Sequence, residues 1–287
     1  MSLFYKMAGL IIKCEDCFDA ESKKQLDFYK TEPVEEPDIN FAFHFNCMGL
    51  KEPEGELITE INKRRWYRLK DGGFAFVDQA DEISPEILNL MVADKGFRNV
   101  TGYFCPRELM RLEEEKRPYH LMNEVLKYAL LYNDGLMMHA SSISFRNNGM
   151  LFSAPSGTGK STHATLWCHF EPETVIVNDD MPLLRIVDGV TYLYGAPWSG
   201  KGVRHTNVSV PLRAFVFLER GETCSLTPMD PMEAVWRFYD AVRQPVMAEL
   251  AEASLDLIGK MLETVPVYLL RCNISETAVR TSMQAIL

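Results

Sequence analysis

Residues 150–162 read Met-Leu-Phe-Ser-Ala-Pro-Ser-Gly-Thr-Gly-Lys-Ser-Thr. The apolar residues Met150–Phe152 predict a short buried strand, and the run from Thr162 to Trp167 predicts the start of a helix. Between them lies most of the phosphate-binding pattern G-x-x-x-x-G-K-[ST], with Ala154 in the position of its first glycine. A strand, a glycine-rich loop and a helix in this order indicate a P-loop in an α/β fold.

The loop pattern assigns chemistry to individual residues. Gly157 and Gly159 allow successive backbone N–H groups to turn toward an anion, and the helix that follows adds the positive end of its dipole. We expect Lys160 to reach the β- and γ-phosphates of a nucleotide and the Ser161 hydroxyl to bind Mg²⁺. The sequence thus predicts ATP and Mg²⁺ as cofactors, with the nucleotide bound by Ser156, Gly157, Thr158, Gly159, Lys160, Ser161 and Thr162.

Composition limits the classes of partner. The chain has 287 residues, 47% of them hydrophobic, and a net charge of −10, which argues against broad binding to nucleic acid or to an anionic membrane. No run approaches the ~18 apolar residues of a transmembrane helix, and residues 1–16 lack the pattern of a signal peptide. Seven cysteines in a chain of this length do not indicate a disulfide scaffold, so we expect a cytoplasmic protein.

A group of thiol and imidazole side chains near the start offers an alternative, a zinc site. Cys14 and Cys17 are separated by two residues, and so are His44 and Cys47. However, residues 41–45 alternate like a strand, which would direct His44 and Cys47 to opposite faces. Acidic residues between Cys14 and Cys17 would also raise the pKa of both thiols. The pattern therefore favours ordinary cysteines over structural zinc.

Two regions differ in sequence pattern. Residues 1–115 are expected to form a smaller N-terminal α/β domain of unknown role, and residues 116–287 a P-loop nucleotide-binding domain. In the first region Asp71–Gly73 predicts a hairpin, Ser84-Pro85-Glu86 predicts a helix that runs to about Ala93, and residues 21–38 predict a loop. In the second, strands are expected at 136–140 with an extension at 143–145, and at 150–152, 174–178, 192–194, 214–218 and 267–270. Helices are expected near 118–133, 231–242 and 250–262 and after Ser275.

Polar residues after the strand at 174–178 suggest the second half of an active site. Asp179 and Asp180 follow this strand directly, 19 residues or more beyond Lys160. At the end of a strand the two carboxylates can lie on either side of one site, where one holds Mg²⁺ and the other accepts a proton. We assign the metal to Ser161 and Asp180 and the base to Asp179, although the two aspartates could exchange roles.

Two further segments carry candidate phosphate or acceptor contacts. His139 ends the apolar strand that precedes the P-loop strand, where a histidine is either a buried core residue or a phosphate contact. The glycine-rich segment 195–205 contains Lys201 and Arg204, whose positive charges could stabilise a phosphoryl group during transfer. The alternative is a surface loop with two solvated cations. Catalytic candidates are therefore Asp179, His139, Lys201 and Arg204.

Together these segments resemble the HPr kinase/phosphorylase and phosphoenolpyruvate carboxykinase superfamily. The resemblance lies in Met138-His139-Ala140, in Ser156–Ser161, in Val177–Asp180 and in the Gly-x-Pro-Trp-x-Gly-Lys segment at 195–201, and it is closer to HPr-kinase-like proteins. It covers roughly residues 118–287 and implies a C-terminal P-loop kinase core. Thr162 stands where HPr kinases usually carry Glu, and the C-terminal signature for dephosphorylation is not recognised. The resemblance therefore supports kinase chemistry more strongly than it supports HPr as the substrate.

The sequence and the resemblance together predict an ATP- and Mg²⁺-dependent kinase. Its acceptor would be a hydroxyl of Ser or Thr in a protein or peptide, or of a small molecule. Two alternatives stay open: a nucleotide-binding regulatory module with little turnover, and an enzyme like phosphoenolpyruvate carboxykinase. A homo-oligomer is possible, and no nucleic-acid or membrane partner is expected.

Overall fold

The computed structural model describes residues 2–79, 86–106, 116–200 and 204–286. The chain separates into two compact units, one formed by Met1–Tyr132 with Val246–Leu250 and the other by Asn133–Pro245 with Ala251–Leu287. The helix Arg117–Leu131 belongs to the first unit because it packs on two strands of that unit's sheet, at Ile39–His44 and Asn99–Phe104. The division therefore lies one helix later than the 115/116 boundary expected from the sequence.

The first unit is built on a mixed sheet of eight strands among the described residues, in the order β1-β2-β3-β8-β7-β6-β5-β4. The pairs β2–β3 and β3–β8 are parallel and the other pairs are antiparallel. Its strands are β1 (Ser2–Met7), β2 (Leu10–Glu15), β3 (Ile39–His44), β4 (Gly55–Ile61), β5 (Arg64–Leu69), β6 (Phe74–Gln79), β7 (Ile87–Ala93) and β8 (Asn99–Phe104). Its helices are α1 (Ala20–Leu26), followed by a 3₁₀ turn at Asp27–Tyr29, and α2 (Arg117–Leu131).

Two expectations for this unit were wrong. The described part of the predicted helix at 84–93 is strand β7, which pairs with β6 and β8 on either side. These long-range pairings override the local signal of Ser84 and Pro85, which lie outside the described residues. Residues 21–38 are not a continuous loop, because the Asp19 carboxylate caps α1 by accepting from the N–H groups of Glu21 and Ser22.

The second unit also contains a large mixed sheet, of nine strands in the described part of the chain. Its main path is β12-β10-β11-β15-β14-β13-β9, and β17 pairs with both β15 and β16. The strands are β9 (Gly135–Met137), β10 (Ser141–Phe145), β11 (Asn148–Ser153), β12 (Thr174–Asn178), β13 (Leu183–Val187), β14 (Val190–Tyr194), β15 (Ser209–Arg220), β16 (Ser225–Pro228) and β17 (Val267–Cys272). The helices are α3 (Lys160–Phe170), α4 (Pro231–Ala241), α5 (Ala248–Thr264), which belongs to this unit from Ala251 onward, and α6 (Glu276–Met283).

The long strand β15 organises this sheet. It runs parallel to β11 and β17 along its second half and antiparallel to β14 at its start. A core of buried side chains from β10, β11, β15, α3 and α6 includes Phe152, Trp167 and Val279. This core fixes α3 against the strand that delivers the P-loop. The described residues contain no helix long and apolar enough to cross a membrane.

The predicted strand at 136–140 and its extension at 143–145 are two separate strands. β9 pairs with β13, whereas β10 pairs with β11 and β12 in another part of the sheet. The chain crosses between them through residues 138–140, where the His139 N–H donates to the Ala241 carbonyl and the Ala140 N–H to the Asp180 carbonyl. His139 therefore lies in a connection rather than inside a strand.

Candidate nucleotide and phosphoryl-transfer site

The P-loop connects the end of β11 to the start of α3. Gly157 and Gly159 have φ values of +79° and +127°, a region that favours glycine. Lys160 begins α3, and its Nζ donates to the Ala154 carbonyl at 2.9 Å. Burial lowers the pKa of Lys160, against the opposing effect of Asp180 and Asp179. The ammonium is thus held over the loop, within electrostatic reach of both carboxylates.

Arg220 supports the loop from outside. It ends β15, and it donates to the carbonyls of Gly157 at 2.5 Å and Thr158 at 3.3 Å. In a trans peptide the N–H points opposite to the C=O, so the Gly159 N–H is directed away from Arg220. Arg220 was not among the residues predicted for the site. Sequence alone offers little indication of this role, because Arg220 reaches the P-loop only through the parallel pairing of β11 with β15.

Asn178 organises the end of β12. Its side chain is fully buried, and its Nδ2 donates to the Ala196 carbonyl at 2.7 Å and to the Trp198 carbonyl at 3.1 Å. Its Oδ1 accepts from the N–H groups of Asp180 and Met181. One side chain therefore shapes the turn that carries the carboxylates and anchors the loop after β14.

The two aspartates of this turn have different surroundings. The Asp179 side chain is 6% exposed. Its Oδ1 accepts from the Ser141 hydroxyl at 2.6 Å, and its Oδ2 pairs with Arg204 Nη1 at 2.8 Å. The Asp180 side chain is 29% exposed, and its Oδ1 lies 3.0 Å from His139 Nδ1. Both carboxylate oxygens of Asp179 are therefore in contact with a polar partner, whereas Asp180 contacts the half-exposed imidazole of His139 through one oxygen.

Arg204 joins two elements of the site. Besides Asp179, it contacts Thr165 of α3, whose hydroxyl accepts from Nη2 at 2.7 Å. The same hydroxyl donates to the Ser161 carbonyl at 2.7 Å. Arg204 therefore connects Asp179 to the helix that follows the P-loop. Lys201, the other predicted cation, lies outside the described residues.

Cavities lie on two parts of the P-loop. One, of about 500 Å³, is lined by Gly157 to Gly159 and by Thr162, His163, Leu166, Leu218, Arg220 and Ile274, among others. The second, of about 370 Å³, is lined by residues 153–156 and by His139, Phe217, Arg237, Asp240 and Ala241. The loop thus contributes its glycines to one cavity and its first residues to the other.

The zinc alternative receives no support from the geometry. Among the residues that the structure describes, no group of three or more His, Cys, Asp or Glu side chains is arranged to hold a metal ion. Burial raises the pKa of Cys14, and it raises that of Cys17 to about 12, with nearby acidic residues acting in the same direction. Both thiols therefore resist the deprotonation that zinc binding requires.

Comparison with known proteins yields limited similarity. No protein-family model and no curated protein matches the chain. Among solved structures, the chain is similar to the Hpr(Ser) kinase/phosphatase from Coxiella burnetii, with 15% sequence identity and a TM-score of 0.30. This similarity covers 52% of this chain and 96% of that chain.

Proposed function

We propose that the protein transfers the γ-phosphoryl group of ATP to a hydroxyl group of a protein, a peptide or a small molecule, in a Mg²⁺-dependent reaction. The observation that carries this proposal is the grouping of Lys160, on a P-loop, with Asp179 and Asp180 at the end of β12. A P-loop alone binds phosphate, but a nearby carboxylate pair also provides a metal ligand and a proton acceptor. The proposed core is that of a P-loop kinase of the HPr kinase type.

The larger cavity suits the nucleoside part of ATP. It joins the glycines of the P-loop to the apolar side chains Leu166, Leu218 and Ile274, and its volume of about 500 Å³ is within the usual range for a small-molecule site. A base packed against these side chains would leave its phosphates on the loop amides and on Lys160. Arg220, which holds the loop carbonyls, would keep those amides in place.

The residues present also fit Mg²⁺. This ion takes oxygen ligands and is usually bound by one or two carboxylates together with substrate phosphates. The Ser161 hydroxyl makes no hydrogen bond with the described residues, and the aspartates supply oxygen ligands of opposite charge to the ion. When bound, Mg²⁺ neutralises charge on the phosphates. A dedicated cage of protein ligands is not required.

The contacts favour an exchange of the roles first assigned to the aspartates. Contacts with Ser141 and Arg204 fix the position of the Asp179 carboxylate. Such a fixed anion is suited to bind the metal together with Ser161. Asp180 lies against His139, which lines the smaller cavity, and this pair can receive a proton from a hydroxyl group placed there. In this proposal Asp180 and His139 face the acceptor, and Arg204 stabilises charge on the transferred group. Lys201 keeps the same role as a prediction.

A phosphotransfer assay tests the proposal. Purified protein is incubated with Mg²⁺, γ-labelled ATP and fractions of a cell extract. We expect at least one fraction to contain an acceptor that carries the labelled phosphate as an ester of a hydroxyl group. The matched variants are Lys160→Ala, which should neither bind ATP tightly nor transfer phosphate, and Asp180→Asn, which should bind ATP but transfer poorly. ATP binding without transfer to any fraction would favour the regulatory module. No measurable ATP binding by the wild type would refute the proposal.

A further inference from the structure

The smaller cavity is placed to hold the acceptor, if the proposed function is correct. It is lined by Ser153 to Ser156 at the start of the P-loop and by His139, whose Nδ1 contacts Asp180. The glycines of the loop line the other cavity instead. A group in the smaller cavity would therefore approach the terminal phosphate from the side of the Asp180–His139 pair, where a hydroxyl proton can be received.

The charges around this cavity are unequal. Arg237, on α4, is neutralised by Glu219 and Glu233, each at 2.8 Å, and Glu219 also pairs with Arg271. Asp240, one turn further along α4, forms no ion pair or hydrogen bond with the residues that the structure describes. Asp180 is not among the residues that line the cavity and is connected to it through His139. Among the described carboxylates and cations that line the cavity, Arg237 is compensated and Asp240 is not, so the uncompensated charge is negative.

The same helix presents an apolar surface next to Asp240. Met232, Trp236 and Asp240 are spaced at i, i+4 and i+8, which places them on one face of α4. Met232 is 66% exposed and Trp236 is 61% exposed. Neither side chain lines the cavity, but both lie on the helix that contributes Asp240 to it, where they offer an apolar surface to a bound segment. A small-molecule acceptor would fill the cavity without using this face, whereas a peptide would use both.

We propose that the acceptor is a Ser or Thr in a peptide segment that carries a Lys or Arg close to the acceptor residue and an apolar residue further away. The basic side chain pairs with Asp240, and the apolar one packs on Trp236 and Met232. Successive positions on this face are about 6 Å apart and an extended peptide advances about 3.3 Å per residue. The apolar residue therefore lies about two to four residues from the basic one.

The transfer step balances with ATP as the only co-substrate. The Ser or Thr oxygen forms a bond to the γ-phosphorus, and the bond from the γ-phosphorus to the β,γ-bridging oxygen breaks. The proton of the hydroxyl passes to the Asp180–His139 pair, and ADP leaves. Asp240 takes no part in this step, so its effect is on binding of the acceptor.

Peptide mixtures provide the test. Degenerate peptides with a central Ser, and with Lys or Glu fixed at one flanking position at a time, are labelled with γ-labelled ATP. We expect a preference for Lys over Glu at one position near the Ser, of about threefold to tenfold, the range of a partly exposed ion pair. Asp240→Lys should reverse this preference, and Trp236→Ala should raise KM for the peptide with little change in kcat. Asp256→Asn, an exposed aspartate on α5 that does not line the cavity, is the control and should match the wild type.

Failure of this inference can be distinguished from failure of the proposed function. If the wild type binds ATP and Lys160→Ala does not, the nucleotide site stands. Under that condition, four results would each overturn the proposal of a peptide acceptor. They are the absence of peptide labelling, an unchanged preference in Asp240→Lys, a preference of the wild type for Glu, and labelling confined to small amino alcohols. If the wild type does not bind ATP, the proposed function itself fails.

Discussion

His163 is expected to make the second unit less stable as the pH falls from 7 to 5. It lies in α3, two residues after Ser161, and is 3% exposed. Its ring meets that of Phe152 edge-on, with centroids 4.7 Å apart, and its Nε2 lies 3.1 Å from the Ser282 hydroxyl. Burial lowers its pKa from 6.5 to about 4. The imidazole is therefore neutral in the folded protein throughout this range of pH.

The direction of the change in stability follows from the pH at which His163 is protonated in the folded and in the unfolded state. In the unfolded chain His163 is protonated near pH 6.5, whereas in the folded chain it is protonated only near pH 4. The folding stability is therefore fully present above pH 6.5 and is lost as the pH falls toward 4. The loss amounts to about 2 kcal/mol at pH 5 and approaches about 3 kcal/mol below pH 4. Burial also lowers the pKa of His205 to about 4, and its contribution is the same in wild type and in a His163 variant.

The assay compares urea unfolding of wild type, His163→Gln and His169→Gln at pH 7 and pH 5. The unfolding is followed by tryptophan fluorescence, to which Trp167 contributes from the right region, because its buried indole donates to the same Ser282 hydroxyl at 2.9 Å. We expect His163→Gln to lose about 2 kcal/mol less than wild type between the two pH values. His169 is exposed on the same helix, and His169→Gln should follow the wild type. A difference between wild type and His163→Gln below about 0.5 kcal/mol would refute the reasoning.

The remaining predictions concern the nucleotide and the transfer step. Lys160→Ala should weaken Mg-ATP binding at least about 100-fold in calorimetry, because charge-assisted contacts to two phosphates are lost, while the circular dichroism spectrum stays unchanged. Asp180→Asn should lower turnover about 100-fold with ATP affinity retained, and Asp179→Asn should weaken Mg-ATP binding in a way that extra Mg²⁺ partly restores. Arg220→Ala should weaken ATP binding about fivefold, whereas Arg213→Ala, exposed on the same strand, should not.

Local sequence signals predicted the elements that carry the candidate nucleotide site. The strand expected at 174–178 has the bounds Thr174–Asn178, and the helix expected at 231–242 is α4, Pro231–Ala241. The Asp230 carboxylate caps α4 and Pro231 occupies its first turn, so the signal was contained in adjacent residues. The P-loop was recognisable for the same reason, because its glycines, lysine and helix start are contiguous.

Features that depend on distant pairing could not be predicted in this way. Strand β7 owes its conformation to β6 and β8, and the Ser-Pro signal before it pointed to a helix. Arg220 reaches the P-loop through parallel pairing across more than 60 residues of sequence, and Ser141 reaches Asp179 across the β10–β12 pair. Asp240 lines a cavity with residues 153–156 because α4 packs near the P-loop. No spacing within the sequence identifies these contacts.

Asn178 explains how parts of the candidate site that are distant in sequence lie together. Its buried amide donates to the carbonyls of Ala196 and Trp198, and its oxygen holds the N–H groups of the turn at 180–181. A Cβ at Gly195 would lie 2.9 Å from the Val177 carbonyl oxygen of β12 and 2.0 Å from the Thr206 carbonyl oxygen, so the loop after β14 can approach both segments only with glycine there. The same amide thus joins the turn that carries the carboxylates to this loop, while Ser141 and Thr165 add further contacts that hold Asp179 and Arg204 together.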